Sequence, residues 1–458
     1  GAAVAAAVER DFAEIGGFPA AGRILVLVGK GHNGGDALLA ARALLERFPT
    51  ASADVHLVFG ARLLRPLAGR AWRDLAQAVP GRVTAAGPAG FADRYDLLLD
   101  GVFGFQFRPP VDVAVAALFA DVNRRSVRFR AAVDLPSGLG GASVLRADFT
   151  YATGVVKTPL VDSTRAADVG RLRYLDLGFF DSAPVESRLR MLTLAGLPGQ
   201  TLRAAESDKR TYGHLFIVSG SRNYPGAVLM SVLGALRSGV GLVTAFVPES
   251  LVPAFAARAP EAMWVGWPET PSGSLAREGR HLLQSRIERA SALAMGPGLG
   301  REPETLRLLR EIVAESPVPL VIDADALQPD IVRAGRAPRI LTPHLGEFRR
   351  ILAGDDFHDV SPTREAVVIL KGRLTGVLHD GKGYYSPFGG PVLARGGSGD
   401  LLAGLTAGVL AQEPGEPLLA AARSAIWHGR AADLLAQAFG QVAVHTTQLL
   451  DFLPAALR

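Results

Sequence analysis

Short apolar runs alternate with longer alanine- and leucine-rich stretches along almost the whole chain. A run of Val, Ile, Leu and Phe too short for a helix reads as a buried strand, and the stretch after it as a crossover helix. Repeated in this way, the pattern predicts α/β folding on parallel sheets. In the first half, strands are expected at Ile24–Val28, Val55–Phe59, Leu97–Leu99, Phe129–Val133, Phe149–Thr153 and Leu172–Leu175. Helices are expected near Asp36–Arg47, Pro66–Gln77 and Val111–Arg124. The alternation breaks into prolines, glycines and mixed polar residues over Ser182–Arg203, then restarts. The second half predicts strands at His214–Val218, Leu242–Phe246, Leu293–Met295, Leu320–Ile322, Arg339–Leu341, Val367–Leu370 and Gly376–Leu378. It closes on helices at Gly399–Ala411 and Pro417–Phe439. The expected domains are therefore residues 1–195 and 196–458.

Length agrees, since 458 residues exceed what one core usually organises. With 48% hydrophobic residues and no charge-dense block, the chain reads as globular. A formal charge of +5 spread over dispersed arginines is no nucleic-acid stripe, so nucleic acid is not an expected partner. No apolar run reaches the roughly 18 residues of a membrane span. The absence of cysteine removes disulfides, thiolate nucleophiles and cysteine-based zinc sites, and fits a reducing, cytoplasmic location. The alanine-rich start, Gly1 to Val8, lacks a basic leader and reads as a helix entered midway. Lysine occurs only at positions 30, 157, 209, 371 and 382, which marks each as a place where arginine's larger fork is expected not to fit.

In the first half, Gly29, Gly31 and Gly34 match the dinucleotide fingerprint G-x-G-x-x-G between a strand and a helix. The acid that such a fold needs at the end of its second strand is missing: that strand runs into Phe59-Gly60-Ala61-Arg62. An ordinary Rossmann dehydrogenase is disfavoured. Two further strands end in carboxylates, at Asp100 and Asp134, and ligands in parallel sheets bind beyond such ends. Asn33, Asp36, Asp100, Asp134 and Ser137 are expected to converge there, with oxygens suited to a hard cation and a carboxylate able to move a proton. Individually, each could instead cap a helix or satisfy a loop.

The second half carries the densest chemistry. Gly396-Gly397-Ser398-Gly399-Asp400 leads directly into a helix. Three glycines leave amides uncovered and the helix adds its positive end, which makes a cradle for phosphate oxygens. Asp400 is the group placed to deprotonate a hydroxyl attacking that phosphate. Other strand ends turn polar at Asp323 and Asp325, at Thr342 to Glu347, and at Lys371 to Thr375, where a cation and a hydroxyl suit nucleotide phosphates. Gly298 lies in a glycine turn, and Gly234, Ala235, Ser238 and Gly239 keep one helix slim, fit for close packing. The sequence lacks G-x-x-x-x-G-K-[ST], so this is no P-loop enzyme.

GKGHNGGD, DGVFG and VDLPSGL in the first half, and SGSRNYPGA, MGPGLG, DADAL, TPHLGE, LKGRLT and GGSGDLLAG in the second, resemble the bifunctional NAD(P)HX epimerase/dehydratase family in kind and order. The resemblance implies a Rossmann-like three-layer domain that interconverts the R and S forms of hydrated NADH and NADPH. It further implies a ribokinase-like three-layer domain that dehydrates (6S)-NAD(P)HX with an adenine nucleotide, ADP in bacterial members. By motif, His32, Asn33, Gly34, Gly35 and Asp36, the loop Gly104, Phe105, Gln106, Phe107, Arg108, Pro109 and Pro110, and Asp134 would contact the ligand of the first domain. Asn33, Asp100 and Ser137 would hold potassium. In the second domain, Ala227, Gly298, His344 and Asp400 would meet the hydrated cofactor, and Lys371, Gly372, Arg373, Leu374, Thr375 and Gly399 the nucleotide, ADP or ATP. Asp400 and Asp134 are the expected catalytic groups, Mg²⁺ is expected on the nucleotide, and a homo-oligomer is expected. Two departures stand out: Phe105-Gln106-Phe107 replaces the family's smaller loop residues, and Phe348–Val368 is shorter than the family's helical insert. The rival reading is a vitamin-precursor kinase of the ribokinase-like fold with a non-catalytic N-terminal binding module.

Overall fold

The computed structural model describes residues 1–178, 187–199, 202–352 and 366–458. Two compact units divide it, Gly1–Pro184 with Ala436–Ala443, and Val185–Leu435 with Val444–Arg458. Part of the polar stretch Ser182–Arg203 and of the short segment Phe348–Val368 lies outside the described residues.

The first unit is built on β1 Arg23–Val28, β2 Ser52–Leu57, β3 Val83–Ala85, β4 Arg94–Gly101, β5 Ser126–Val133, β6 Phe149–Thr153 and β7 Arg171–Leu175. They form one sheet in the order β3-β2-β1-β4-β5-β6-β7, and every neighbouring pair is parallel. Five of the six residues of β1 are fully buried, as expected for a central strand covered on both faces. The order turns outward on both sides of β1, so β1 and β4 frame the switch point where such sheets bind ligands. Register places Val28 beside Gly101, and Asp100 beside Ala132, so the chain leaves three adjacent strands at one level. This is the Rossmann-like arrangement expected.

The second unit contains β8 Leu189–Met191, β9 His214–Val218, β10 Leu242–Pro248, β11 Met263–Trp267, β12 Ala292–Met295, β13 Leu320–Ile322, β14 Arg339–Leu341, β15 Ala366–Leu370, β16 Thr375–His379 and β17 Lys382–Ser386. Their order is β11-β10-β9-β12-β13-β14-β15-β16-β17-β8. The strands from β11 to β15 are parallel, and β16 and β17 add antiparallel hairpin strands at one side. Short β8, within the stretch read as a linker, pairs with β17.

Helices Pro225–Leu236 and Ser398–Gln412 lie almost backbone to backbone. A Cβ at Gly404 would overlap the Ser231 carbonyl, and one at Gly408 the Ser238 hydroxyl. A Cβ at Gly234 would meet the Leu401 carbonyl at 2.5 Å. The slim helix face thus serves helix packing, which anchors the start of the Asp400 helix on its neighbour.

Candidate active sites

In the first unit the turn after β1 runs straight into the helix His32–Arg47, so His32 to Asp36 occupy its first turns. Gly29 and Gly34 are glycine for packing. A Cβ at Gly29 would collide with the Val102 carbonyl, and one at Gly34 with the Gly29 carbonyl. Only Gly31 of the fingerprint faces open space. Across the crevice, Asp100 is buried at the end of β4. It accepts from the Ser137 hydroxyl at 2.5 Å, the Ser137 amide at 2.7 Å and the Val102 amide at 3.2 Å. Phe103 ties the set together: its carbonyl accepts from Asn33 Nδ2 at 2.8 Å and its amide donates to Ser137 Oγ at 2.8 Å. Asn33, Asp100 and Ser137 therefore meet around one backbone unit. Burial lifts the Asp100 pKa from 3.8 to about 6, against the pull of the Ser137 and Val102 hydrogen bonds, with no cationic side chain among the causes. The Asp100 carboxylate, the Ser137 hydroxyl, the Phe103 carbonyl and the Asn33 amide gather here, a donor set of the kind that suits a hard cation.

Asp134 follows β5 with φ of 70°, a left-handed conformation that a non-glycine residue adopts at a cost and that clusters at functional sites. Its Oδ1 accepts from Thr153 Oγ1 at 3.0 Å, the Thr153 amide at 3.3 Å and the Lys157 ammonium. Gly104 closes the pocket: a Cβ there would stand 3.5 Å from Asn33 Cβ and 3.8 Å from Asp134 Oδ2. Asn33, Gly104 and Asp134 are thus brought together. His32 and the loop residues Phe105, Gln106, Arg108, Pro109 and Pro110 are exposed, and Arg108 donates to the carbonyls of Phe105 and Phe107 at 2.9 and 2.8 Å. Gly35 packs over Ala68, and Asp36 accepts from the Gly1 nitrogen at 3.1 Å.

In the second unit the chemistry gathers at the carboxyl ends of β13, β14 and β15. Lys371, just past β15, bonds Asp323 at 2.9 Å, and its amide donates to the Pro343 carbonyl at 2.8 Å. Burial works against the lysine's charge, but Asp323, Glu347 and Asp400 together hold its pKa above the ordinary value. Gly399 abuts the ammonium, since a Cβ there would lie 3.2 Å from Nζ. Gly397 takes the left-handed φ of 88° that starts the helix Ser398–Gln412, and no side chain caps that helix. The Ser398 amide donates to the Arg395 carbonyl at 3.4 Å, and the next two, of Gly399 and Asp400, have no partner among the described residues and can receive an anion.

Asp400 sits in this first turn. Burial, and then the charge of Asp323, lift its pKa from 3.8 to about 7 even though Lys371 opposes them. That value is suited to a general base at neutral pH. Ser231 donates both to the Asp400 carbonyl at 3.1 Å and to the Ala227 carbonyl at 3.2 Å, which links the two helix starts. Gly298 packs against Ala227, and a Cβ at Gly298 would lie 2.9 Å from that of Ala227 and 2.5 Å from the Tyr224 carbonyl. With φ of 68° as well, Gly298→Ala is expected to lower the thermal midpoint and to weaken binding of the hydrated cofactor, readable by differential scanning and by KM.

His344 Nδ1 accepts from the Gly346 amide at 3.0 Å, and Nε2 lies 3.3 Å from Glu347, so the proton belongs on Nε2. The ring is 60% exposed, open to a ligand. Gly372 to Thr375 form the turn into β16, beside Lys371. Among the described residues no group of three or more His, Cys, Asp or Glu is disposed to hold a metal ion. A Mg²⁺ ion here would rely on nucleotide phosphates with few protein ligands, as that ion commonly does.

Sequence reasoning gave no role to Ser231, Thr153 or Lys157. Nor did it find His428, buried beneath Ser398, where burial lowers its pKa to about 4 and Nε2 has no hydrogen-bond partner among the described residues. Asp323 was visible as the polar end of a strand, but its ion pair with Lys371 joins residues 48 positions apart.

A parallel sheet with an anion-receiving helix start, a base and a lysine defines a ribokinase-like enzyme, here joined to a Rossmann-like unit. A solved ribokinase-like superfamily protein from Enterococcus faecalis V583 superposes with a TM-score of 0.51 at 28% identity, covering 61% of this chain and 98% of its own. Residues 215–455 match the NAD(P)H-hydrate dehydratase family, and residues 1–158 match the YjeF-related protein N-terminus. The bifunctional NAD(P)H-hydrate repair enzyme Nnr of Moorella thermoacetica is 35% identical over 100% of this chain and 91% of its own length. That of Gloeobacter violaceus is 39% identical over 95% of this chain and 88% of its own. The chain belongs to this family of bifunctional NAD(P)H-hydrate repair enzymes.

Proposed function

We propose that the chain repairs hydrated NADH and NADPH, its first unit exchanging the R and S epimers and its second dehydrating the 6S epimer with ADP. The observation that carries this reading is the meeting of Asp400, Lys371 and Asp323 at an uncapped helix start preceded by left-handed Gly397.

Hydration leaves a hydroxyl at C6 of the nicotinamide ring, and hydroxide departs poorly. Asp400 takes the hydroxyl proton as the oxygen attacks the terminal phosphorus of ADP, whose bond to the bridging oxygen breaks and releases AMP. Lys371 and the amides of Gly399 and Asp400 neutralise charge on the phosphoryl group in transit. Phosphate then departs from C6 with the C–O electron pair as the ring nitrogen's lone pair forms N1=C6, and loss of a C5 proton to solvent returns those electrons as the C5=C6 bond of NADH or NADPH. Ala227, Gly298 and His344 line the hydrate's side of the cleft, and Gly372, Arg373, Leu374 and Thr375 the nucleotide's. Mg²⁺ would ride on the phosphates.

In the first unit Asn33, Asp100 and Ser137 would hold a potassium ion that orders the Phe103–Gly104 turn. His32 to Asp36, the loop Gly104 to Pro110 and Asp134 would bound the ligand. Asp134→Ala is expected to lower R-to-S exchange by about 100-fold or more, measured by chromatography of the epimers with ADP omitted. Unchanged exchange removes Asp134 from the mechanism.

The division of labour supports domains of residues 1–195 and 196–458. No helix among the described residues is long and apolar enough to cross a membrane. The functional test is incubation with ADP and hydrated NADH. Return of reduced-nicotinamide absorbance with release of phosphate supports repair, whereas a stable phosphorylated product of another small molecule would point to the vitamin-precursor kinase.

A further inference from the structure

The epimerase reading leaves a gap, because exchange at C6 needs a proton given to the departing oxygen as well as one removed. Resting on that reading, we propose that Lys157 is the acid of the first unit: its ammonium protonates the C6 hydroxyl, while Asp134 faces the cation that forms.

The geometry divides the two oxygens of Asp134 between two tasks. Oδ1 is saturated by Thr153 Oγ1, the Thr153 amide and Lys157 Nζ, which fixes the carboxylate in its strained backbone position. Oδ2 looks toward Gly104, where no side chain intervenes, and toward the Asn33 end of the crevice. With Oδ1 only accepting, from three donors, Asp134 offers no proton on that side. Lys157 has three. One goes to Asp134, one to the Thr153 carbonyl at 3.2 Å, and the ammonium stands 5.9 Å from the ring of Phe105 in the ligand loop. The lysine side chain is 19% exposed and that of Asp134 9%, so the pair lies at the crevice floor.

The step balances. The C6–O bond breaks with its electron pair on oxygen, which takes a proton from Lys157 Nζ and leaves as water. The lone pair of the ring nitrogen forms the N1=C6 bond, so the ring carries the positive charge that Lys157 gave up, opposite Asp134. Water then adds to either face of the flat cation. Its extra proton returns to the Lys157 amine and the double-bond electrons return to nitrogen. No oxidant or further reactant is consumed.

The test uses the full chain and hydrated NADPH enriched in the R epimer, with ADP omitted for exchange and added for dehydration. Lys157→Met is expected to lose about 100-fold or more in R-to-S exchange while dehydrating the S epimer at the wild-type rate. Lys157→Arg is the deciding variant, since a guanidinium keeps the ion pair but does not release its proton. It should remain as inactive as Lys157→Met, with a wild-type melting curve. Recovery of exchange by Lys157→Arg would make the lysine a mere support for Asp134 and overturn the proposal, as would wild-type exchange in Lys157→Met. If the unsubstituted chain fails to accelerate exchange at all, the epimerase reading falls instead.

Discussion

Asp400→Asn is expected to cut dehydration by about 10²–10⁴-fold while the chain still binds ADP, because the amide keeps the shape of the carboxyl and loses its basicity. The same substitution should stabilise the protein in a pH-dependent way. The fold raises the Asp400 pKa from 3.8 to about 7, so it favours the protonated form. The stabilisation is complete below the ordinary value and is lost as pH rises through about 7, where ionisation sets a buried charge near Asp323. Asn carries no such charge. The variant's thermal midpoint should therefore gain on the wild type between pH 5 and pH 8, over the interval in which wild-type kcat/KM rises. A constant difference in midpoint across that interval would show that Asp400 is not held as described. A base that destabilises its own fold is the expected exchange of stability for reactivity.

Lys371→Met has the second large effect, on stability and catalysis together. It strands Asp323, whose side chain is 2% exposed, without its partner. Leaving one member of a buried pair uncompensated costs about 3–5 kcal/mol, to be read as a lower urea midpoint at unchanged slope. Adding Asp323→Asn removes the orphaned charge and should recover most of that loss. Dehydration should stay absent in the double variant, because the ammonium beside Gly399 and Asp400 is gone. Restored activity in the double variant would mean that Lys371 serves the fold alone.

Much of this architecture could be read from residue order. The central strands announced themselves because burial on both faces leaves no room for polar alternation, as in β1 and β15. The strands that escaped notice, β3, β8, β11 and β17, lie at or beside sheet edges. There the constraint is looser: β3 is largely exposed, and Met263 in β11 is 43% exposed. Gly29 and Gly34 illustrate the converse, a literal phosphate-binding spacing used for close packing of β1, β4 and their helix. At the sites, strand-end motifs located Asp100, Asp134, Asp400 and Lys371. Their partners Ser231, Thr153, Lys157 and Asp323 gain meaning only through contacts between distant positions. Lys157 carried one signal, its being a lysine among arginines, and that signal has no address without the fold.

The central claim is that the hydroxyl oxygen leaves as part of a phosphate, and the fate of that oxygen tests it most directly. NADPHX labelled with heavy oxygen at C6, incubated with the full chain and ADP, should pass the label to inorganic phosphate as NADPH appears. Label recovered in water, with unlabelled phosphate, would contradict the account.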